Sequence, residues 1–315
     1  MIQTTLGKRV DTRPAWKRLW EDYGGIIWMI PVLLGVLLFT IWPMLTSLNY
    51  AFHEYDPYAF DQSEQLLDFT FDNFKRIFTT DLHPVMGSLY RTFRYAVLSV
   101  AIGLIGSYIL ALILNQKTKG IKAFRVIYYL PVLIPGVAGT LLWKDITRVN
   151  GGYLNLILEA VGLPPYTFYS ETKTVLPTLL FMGLFGMGGS AIMWLSQMKN
   201  VPAEMYESAD LDGANYFQKL FFITIPMTTS MLFYMLITSA IGGLQAFGNV
   251  YALRGTGVAN DEIEFIVVKI YLNAFGERAN MSYACALSWF LFVVIGILTA
   301  FVFKTSKWVY YGEDA

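Results

Sequence analysis

The sequence predicts an all-α, polytopic integral membrane protein with six transmembrane helices. Three observations lead there. Of the 315 residues, 55% are hydrophobic and only 15% are charged, a balance that belongs to bilayer-embedded chains. The apolar residues gather into uncharged runs long enough to cross roughly 30 Å of hydrocarbon as helices. Between two of these runs lies one acid-rich stretch, residues 200–226, which a plain bundle of apolar helices would not need.

Composition also excludes several chemistries. The formal net charge is +0, so no bulk attraction to nucleic acid follows. Cys285 is the single cysteine; it permits neither a disulfide nor a thiolate metal site and reads as a small core residue. The only histidines, His53 and His83, have no ligand-like partner in sequence and are expected to be solvated. There is no G-x-x-x-x-G-K-S/T phosphate loop. No catalytic or metal-binding constellation is present, and the spans carry no charge that could relay protons.

Taken in order, residues 1–25 interleave Lys8, Arg9, Arg13, Lys17 and Arg18 with Trp16, Leu19, Trp20 and Tyr23, the pattern of a short interfacial helix. The uncharged run that follows is too long for a cleaved signal and lacks a small-residue cleavage pattern. Residues 26–48 form the first span, bent but not abolished by Pro31 and Pro43. Residues 49–94 are a polar excursion with seven acids and four bases. The second span, 95–114, has Gly103, Ser107 and Ala111 at four-residue spacing, which lets another helix approach closely. Lys117, Lys119, Lys122 and Arg125 then read as an inside anchor. The third span, 126–143, contains Pro131, Pro135, Gly136 and Gly139 and must be kinked or locally opened. The backbone groups this frees need neighbouring helices or a cavity. Residues 144–173 are a second excursion, with a short helix near the N-G-G-Y-L-N run at 150–155 and an extended tail over 162–169. The fourth span, 174–198, carries Gly183, Gly186, Gly188 and Gly189, a thin face suited to packing or sliding.

The acid-rich stretch sets Glu204, Glu207, Asp210 and Asp212 against the single base Lys219. Asn200 is placed to cap a helix and Pro202 to sit in its first turn. Met205, Ala209 and Leu211 give a thin apolar face. Gly213 breaks the pattern, and residues 216–222 are amphipathic again. Helix, glycine bend, helix, just outside the membrane, has the form of a docking element for another protein. The uncharged run 220–253 is 34 residues long, more than one helix needs. It is expected to hold the end of this element and a turn back toward a cavity. The sixth span is 279–303, with Lys304 and Lys307 at the membrane edge. The organisation is thus an interfacial segment 1–25, a membrane domain 26–303 containing the loop 200–222, and a tail 304–315. With both termini inside, the inner segments hold 13 Lys and Arg in 69 residues and the outer ones 10 in 101, a density that favours cytoplasmic termini.

Glu207-Ser208-Ala209, then Asp212-Gly213-Ala214 and Ile225-Pro226, resemble the EAA loop of the membrane subunits of ATP-binding-cassette (ABC) importers. Ser208 replaces the first Ala of that pattern, and T-I-P ends it where L-P is commoner. The resemblance implies a cytoplasmic coupling-helix loop docked on an ATPase through Glu207, Ala209, Asp212, Gly213 and Ala214. It also implies no cofactor in this chain, with ATP and Mg bound by partner ATPase subunits. Further matches lie in F-x-N-F at 71–74, in the proline run 128–135 and in G-x-x-N within 150–155; Arg91-Thr92 stands where Asn-Thr is usual. Residues 241–251 resemble I-G-x-F-Q-x-F-D-x-x-Y, with Leu244 for Phe and Gly248 for Asp, and 254–258 keep two glycines of an outer turn. Together they cover about 25–305 and resemble the carbohydrate-uptake branch, which handles oligosaccharides, glycerol phosphates and polyols.

That resemblance implies a permease subunit for a sugar or oligosaccharide, working by alternating access in a bacterial or archaeal cytoplasmic membrane. Its implied partners are a second homologous permease subunit in a heterodimer, two ABC ATPase subunits, an extracytoplasmic solute-binding protein and membrane lipid, with no nucleic acid. Substrate contacts fall to Gln245, Phe247, Asn249 and Tyr251, because amides and rings answer the hydroxyls and C–H faces of a sugar. Gln245 bonded to a neighbouring helix and Phe247 filling a core remain open alternatives. So do a non-transporting membrane scaffold and a non-sugar solute for the chain as a whole.

Overall fold

The computed structural model describes residues 28–56, 66–116, 118–254, 260–277 and 279–310. The basic-aromatic segment 1–25, Lys117, the glycine turn at 255–258 and the end of the tail lie outside the described residues. Helix α1 (Trp28–Ala51) is continuous, with a π turn at Leu37–Ile41 just ahead of Pro43. The proline ring would clash with the carbonyl four residues back, and the wider turn absorbs it. The first departure from an all-α fold follows. Two short antiparallel strands, β1 (His53–Tyr55) and β2 (Leu66–Phe69), pair beyond the end of α1. Asn73 Nδ2 donates to the carbonyls of Ala51 at 3.2 Å and His53 at 3.0 Å, tying the hairpin to α1. His83 is exposed, but His53 is half-buried, bonded through Nδ1 to the Asn49 carbonyl at 2.8 Å and set edge-on to Phe69. The expected solvation fails there because the hairpin folds over the ring.

After α2 (Asp72–Phe78), α3 runs from Leu82 to Leu114, 33 residues, starting well before the expected 95. Arg91 and Arg94 mark a polar edge in the sequence, yet both lie inside the helix. Arg94 pairs with Glu262 at 2.5 Å and Arg91 with Glu264 at 3.9 Å; paired charges are tolerable at the end of a span. At its other end the Leu114 carbonyl accepts from Arg125 Nη2 at 2.8 Å.

The third expected span is opened, as its prolines required, into two helices. Helix α4 (Ile121–Tyr129) continues as a 3₁₀ turn to Leu133, and α5 (Gly136–Ile146) leaves it at 100°. Ile134 before Pro135 is extended, with ψ 124°, the conformation a following proline imposes. Helix α6 (Tyr153–Ala160) is the short helix expected near 150–155. The fourth span is also broken, into α7 (Thr172–Phe185) and α8 (Gly188–Lys199), bent by 49° at Gly186–Met187.

Helix α9 (Ala203–Leu211) precedes the glycine bend. Helix α10 (Tyr216–Lys219) follows it and passes through a π turn, Leu220–Thr224, toward α11 (Thr229–Leu244). Short helices α12 (Gly248–Ala252) and α13 (Asn260–Ile263), then α14 (Ile266–Phe275), lead to α15 (Met281–Lys304). Among the described residues, four helices are long and apolar enough to cross a membrane: α1, α3, the Thr229–Ala252 stretch and α15. There are up to six candidates if each bent pair is one span.

Helix α3 is the hub. It packs against α11 and α8 and, nearer its N-terminal end, α7 and α14, while α15 holds α14 and α1. Buried residues such as Ala111, Leu114, Ala191, Trp194 and Met235 form one core cluster; Ile77, Val85, Ile266, Tyr283 and Leu287 belong to another. Outward surfaces stay apolar, with Trp28 and Phe39 of α1 largely exposed, as bilayer solvation requires.

Candidate functional site

The two broken helices and the break at Gln245–Phe247 meet in one place. They line an open cavity of about 640 Å³. The α4–α5 break supplies Pro131, Gly136 and Thr140, and the α7–α8 break supplies Gly183 and Ser190. Helix α3 presents Ser99, Gly103 and Ser107 as one face four residues apart, and α11 adds Ser239. The lining therefore alternates hydroxyls with the rings of Tyr95, Trp143 and Phe247 and the amide of Asn249. Among the described residues, no charged side chain lines it. Such a surface offers neutral hydrogen-bond partners and flat apolar faces.

Two glycines make the closeness possible. A Cβ on Gly136 would come 2.9 Å from Asn249 Oδ1, and a Cβ on Gly188 would overlap the backbone carbonyl of Tyr128. At both points one broken helix lies directly on another element.

Of the four substrate candidates, Phe247 and Asn249 line this cavity. Tyr251 stands behind Phe247, stacked at 5.2 Å between ring centroids, and both rings meet Tyr271, at 5.1 and 4.8 Å. Phe247 thus packs and lines the cavity at once. Gln245 closes α11 and is exposed, and it does not line the cavity. Sequence reasoning missed Ser99, Thr140, Ser190 and Ser239. A signal exists in Ser99, Gly103 and Ser107, one helical face of small polar groups, but the spacing of 103, 107 and 111 alone reads as a packing face. Ser107 and Ala111 do pack on α8, with Trp194 Nε1 donating to Ser107 Oγ at 3.1 Å.

Toward one end, Asn155 is fully buried and pins the extended tail. Its Nδ2 donates to the carbonyls of Arg148 and Tyr166 at 3.0 and 3.1 Å, and its Oδ1 accepts from Tyr166 N at 2.7 Å. Burial pushes the nearby Tyr169 phenol up to about 12, so it stays neutral.

The acidic elbow lies at the other end. Ala214 N donates to the Ala209 carbonyl at 2.8 Å and Gly213 N to that of Asp210 at 3.1 Å, a Schellman closure that needs a left-handed residue. Gly213 supplies it with φ +77°. Asn215 and Gln218 form a reciprocal capping box at 2.8 and 3.0 Å, and Lys219 Nζ reaches Asp210 Oδ1 at 2.6 Å. Asn200 does not cap this helix. It closes α8, while Pro202, with ψ 131°, takes the cap of α9, because a proline keeps Val201 out of the helical region. Ala209, Asp212, Gly213 and Ala214 border a notch of about 340 Å³. Glu207 is exposed one turn away, outside that notch. Leu211 is 91% exposed, so that end of the thin apolar face has no cover within the described part of this chain. Among the described residues no group of His, Cys, Asp and Glu is arranged to hold a metal ion.

No protein-family model matches the chain. It is 33% identical over 295 residues to the probable ABC transporter permease protein YesP of Bacillus subtilis, covering 92% of this chain and 93% of that one. It is 26% identical to the lactose transport system permease protein LacF of Rhizobium radiobacter, covering 94% and 98%. In fold it matches a chain of a bacterial alginate ABC transporter solved in complex with an alginate pentasaccharide-bound periplasmic protein. The TM-score is 0.79 at 23% identity, over 94% of this chain and 98% of that one. With its apolar helices and this degree of likeness to YesP, the chain belongs to the ABC transporter permeases, integral membrane subunits that transport rather than catalyse.

Proposed function

We propose that the chain is one of a pair of six-span permease subunits of an ATP-driven, binding-protein-dependent importer for a sugar or oligosaccharide. The observation that carries this is the cavity. It is uncharged, lined by hydroxyls, an amide and rings, and sits where three helices break, which suits a neutral polyhydroxylated solute. The names of relatives such as LacF support the same substrate class. Counting each bent pair as one span supports six crossings within 26–303.

The elbow over 200–222 acts as the EAA coupling loop, with Glu207, Ala209, Asp212, Gly213 and Ala214 facing an ATPase subunit. Its notch and uncovered Leu211 favour that role. ATP and Mg belong to the ATPase pair. A second homologous permease completes the pore, and an extracytoplasmic solute-binding protein delivers the sugar. Both termini, including the tail from 304, are cytoplasmic by the basic-residue bias. The membrane is the cytoplasmic membrane of a bacterium or archaeon. Alternating access follows: nucleotide closes the ATPases, the elbow moves, and the spans open outward.

The test is reconstitution of the copurified complex in vesicles with its solute-binding protein. Oligosaccharide should stimulate ATP hydrolysis and uptake, and Asn249→Ala should weaken uptake. Uptake of amino acids but not sugars, or binding of ATPases without any ATP-dependent uptake, would refute the reading.

A further inference from the structure

The elbow hangs from the membrane body by very little. No residue of α9 is buried, and a crevice of about 220 Å³ opens between its Tyr206, the start of α10 and the inner ends of α3 and α8. A chain of side-chain contacts crosses this gap. The Tyr206 hydroxyl lies 2.9 Å from Thr224 Oγ1, the last residue of the π turn. One turn on, Thr228 Oγ1 donates to the Thr224 carbonyl at 2.9 Å and faces the Tyr108 hydroxyl of α3 at 3.4 Å. Tyr108 meets Trp194 edge-on at 4.9 Å, and Trp194 is bonded to Ser107, which lines the cavity. Thr228, Trp194 and Ser107 are buried to 2% exposure or less.

Thr228 sends its hydroxyl proton to the Thr224 and Ile225 carbonyls, and Thr224 Oγ1 also lies 3.3 Å from the Lys219 carbonyl. Either hydroxyl of each phenol–threonine pair can be the donor. A Phe in place of either tyrosine keeps the ring and removes only its hydroxyl. The π turn holds one residue more than an α turn would, and helices yield at such points. The hydroxyl contact thus sits where the helix can give.

We propose that Tyr206, Thr224, Thr228 and Tyr108 are positioning residues that carry displacement of the elbow to the cavity wall at Ser107. This rests on the alternating-access reading above and names the groups that transmit it. It requires that Tyr206 and Thr224 act as one unit, so that losing either loses the link.

The experiment uses the complex copurified with its ATPase subunits, carrying Cys285→Ala and a reporter Ser239→Cys in the cavity lining. The reporter's maleimide labelling rate is measured with and without ATP plus orthovanadate. The parent's rate should change on trapping. Tyr206→Phe and Thr224→Val should each shrink that change by about three-fold, and the double variant should shrink it no further. Multiplying effects, or full response in either single variant, overturns the proposal. Loss of copurified ATPase in Tyr206→Phe also overturns it, since Tyr206 would then hold the dock rather than the link. No response in the parent itself would instead sink alternating access, and the link with it.

Discussion

Gly188 offers the sharpest test of how the broken helices meet. A Cβ there would overlap the Tyr128 carbonyl oxygen, lie 2.8 Å from its carbon and 3.3 Å from Tyr129 Cα. All three are backbone atoms, so no side chain can rotate away, and α4 and α8 must part. Overpacking of this kind costs about 1–3 kcal/mol. Gly183, five residues earlier and across the break, in α7, has nothing within 4 Å of its Cβ position. Ala there should instead stabilise by about 0.5–1 kcal/mol, through helix propensity alone. Thermal unfolding in detergent, followed by reaction of the buried Cys285 with a thiol dye, reads both variants. Gly188→Ala should lower the midpoint by about 1.5 °C per kcal/mol lost, and Gly183→Ala should not lower it. A Gly188→Ala protein as stable as its parent, or a Gly183→Ala protein equally harmed, would refute the backbone contact that shapes the cavity.

Three other outcomes are expected. Thr92→Val orphans the buried Ile266 amide, now bonded at 2.9 Å, and should cost about 1–3 kcal/mol; hydrogen exchange at Ile266 should quicken, and unchanged exchange would count against it. Asn155→Ala removes three bonds that hold the extended tail and should speed proteolysis between 162 and 169 while α3 stays protected. Gly213→Val meets no atom within 4 Å but must hold φ +77°, a strain of about 1–2 kcal/mol confined to the elbow. The spans should melt as in the parent while copurified ATPase falls; full retention of ATPase with full uptake would contradict the docking role.

Much of the architecture was legible because its causes are local. Run length and charge marked the apolar helices, Pro131 and Pro135 marked a break, and Gly213 marked the bend between two short helices. Each rests on a backbone constraint or a transfer cost that acts residue by residue. Sequence reasoning failed where a distant partner overrode the local pattern. Arg91 and Arg94 read as the edge of a polar loop, but Glu264 and Glu262 neutralise them inside α3. His53 reads as solvated, but β2 closes over it.

Which polar groups face the cavity was legible only in part: Asn249 was named and lines it, while Gln245 was named and does not. Gln245 and Asn249 lie four residues apart in similar surroundings, yet Asn249 rests on Gly136 and lines the cavity while Gln245 does not line it. Gly188 and Gly183 look alike in sequence and differ completely in what surrounds them. In water, an apolar stripe tells a helix which side is inside; in lipid both sides are apolar, and helices are oriented by close packing and a few interhelical hydrogen bonds. The amino-acid sequence therefore determined where the chain crosses, breaks and bends. Only the tertiary structure decided which faces meet, because that choice is made by partners far away in the chain.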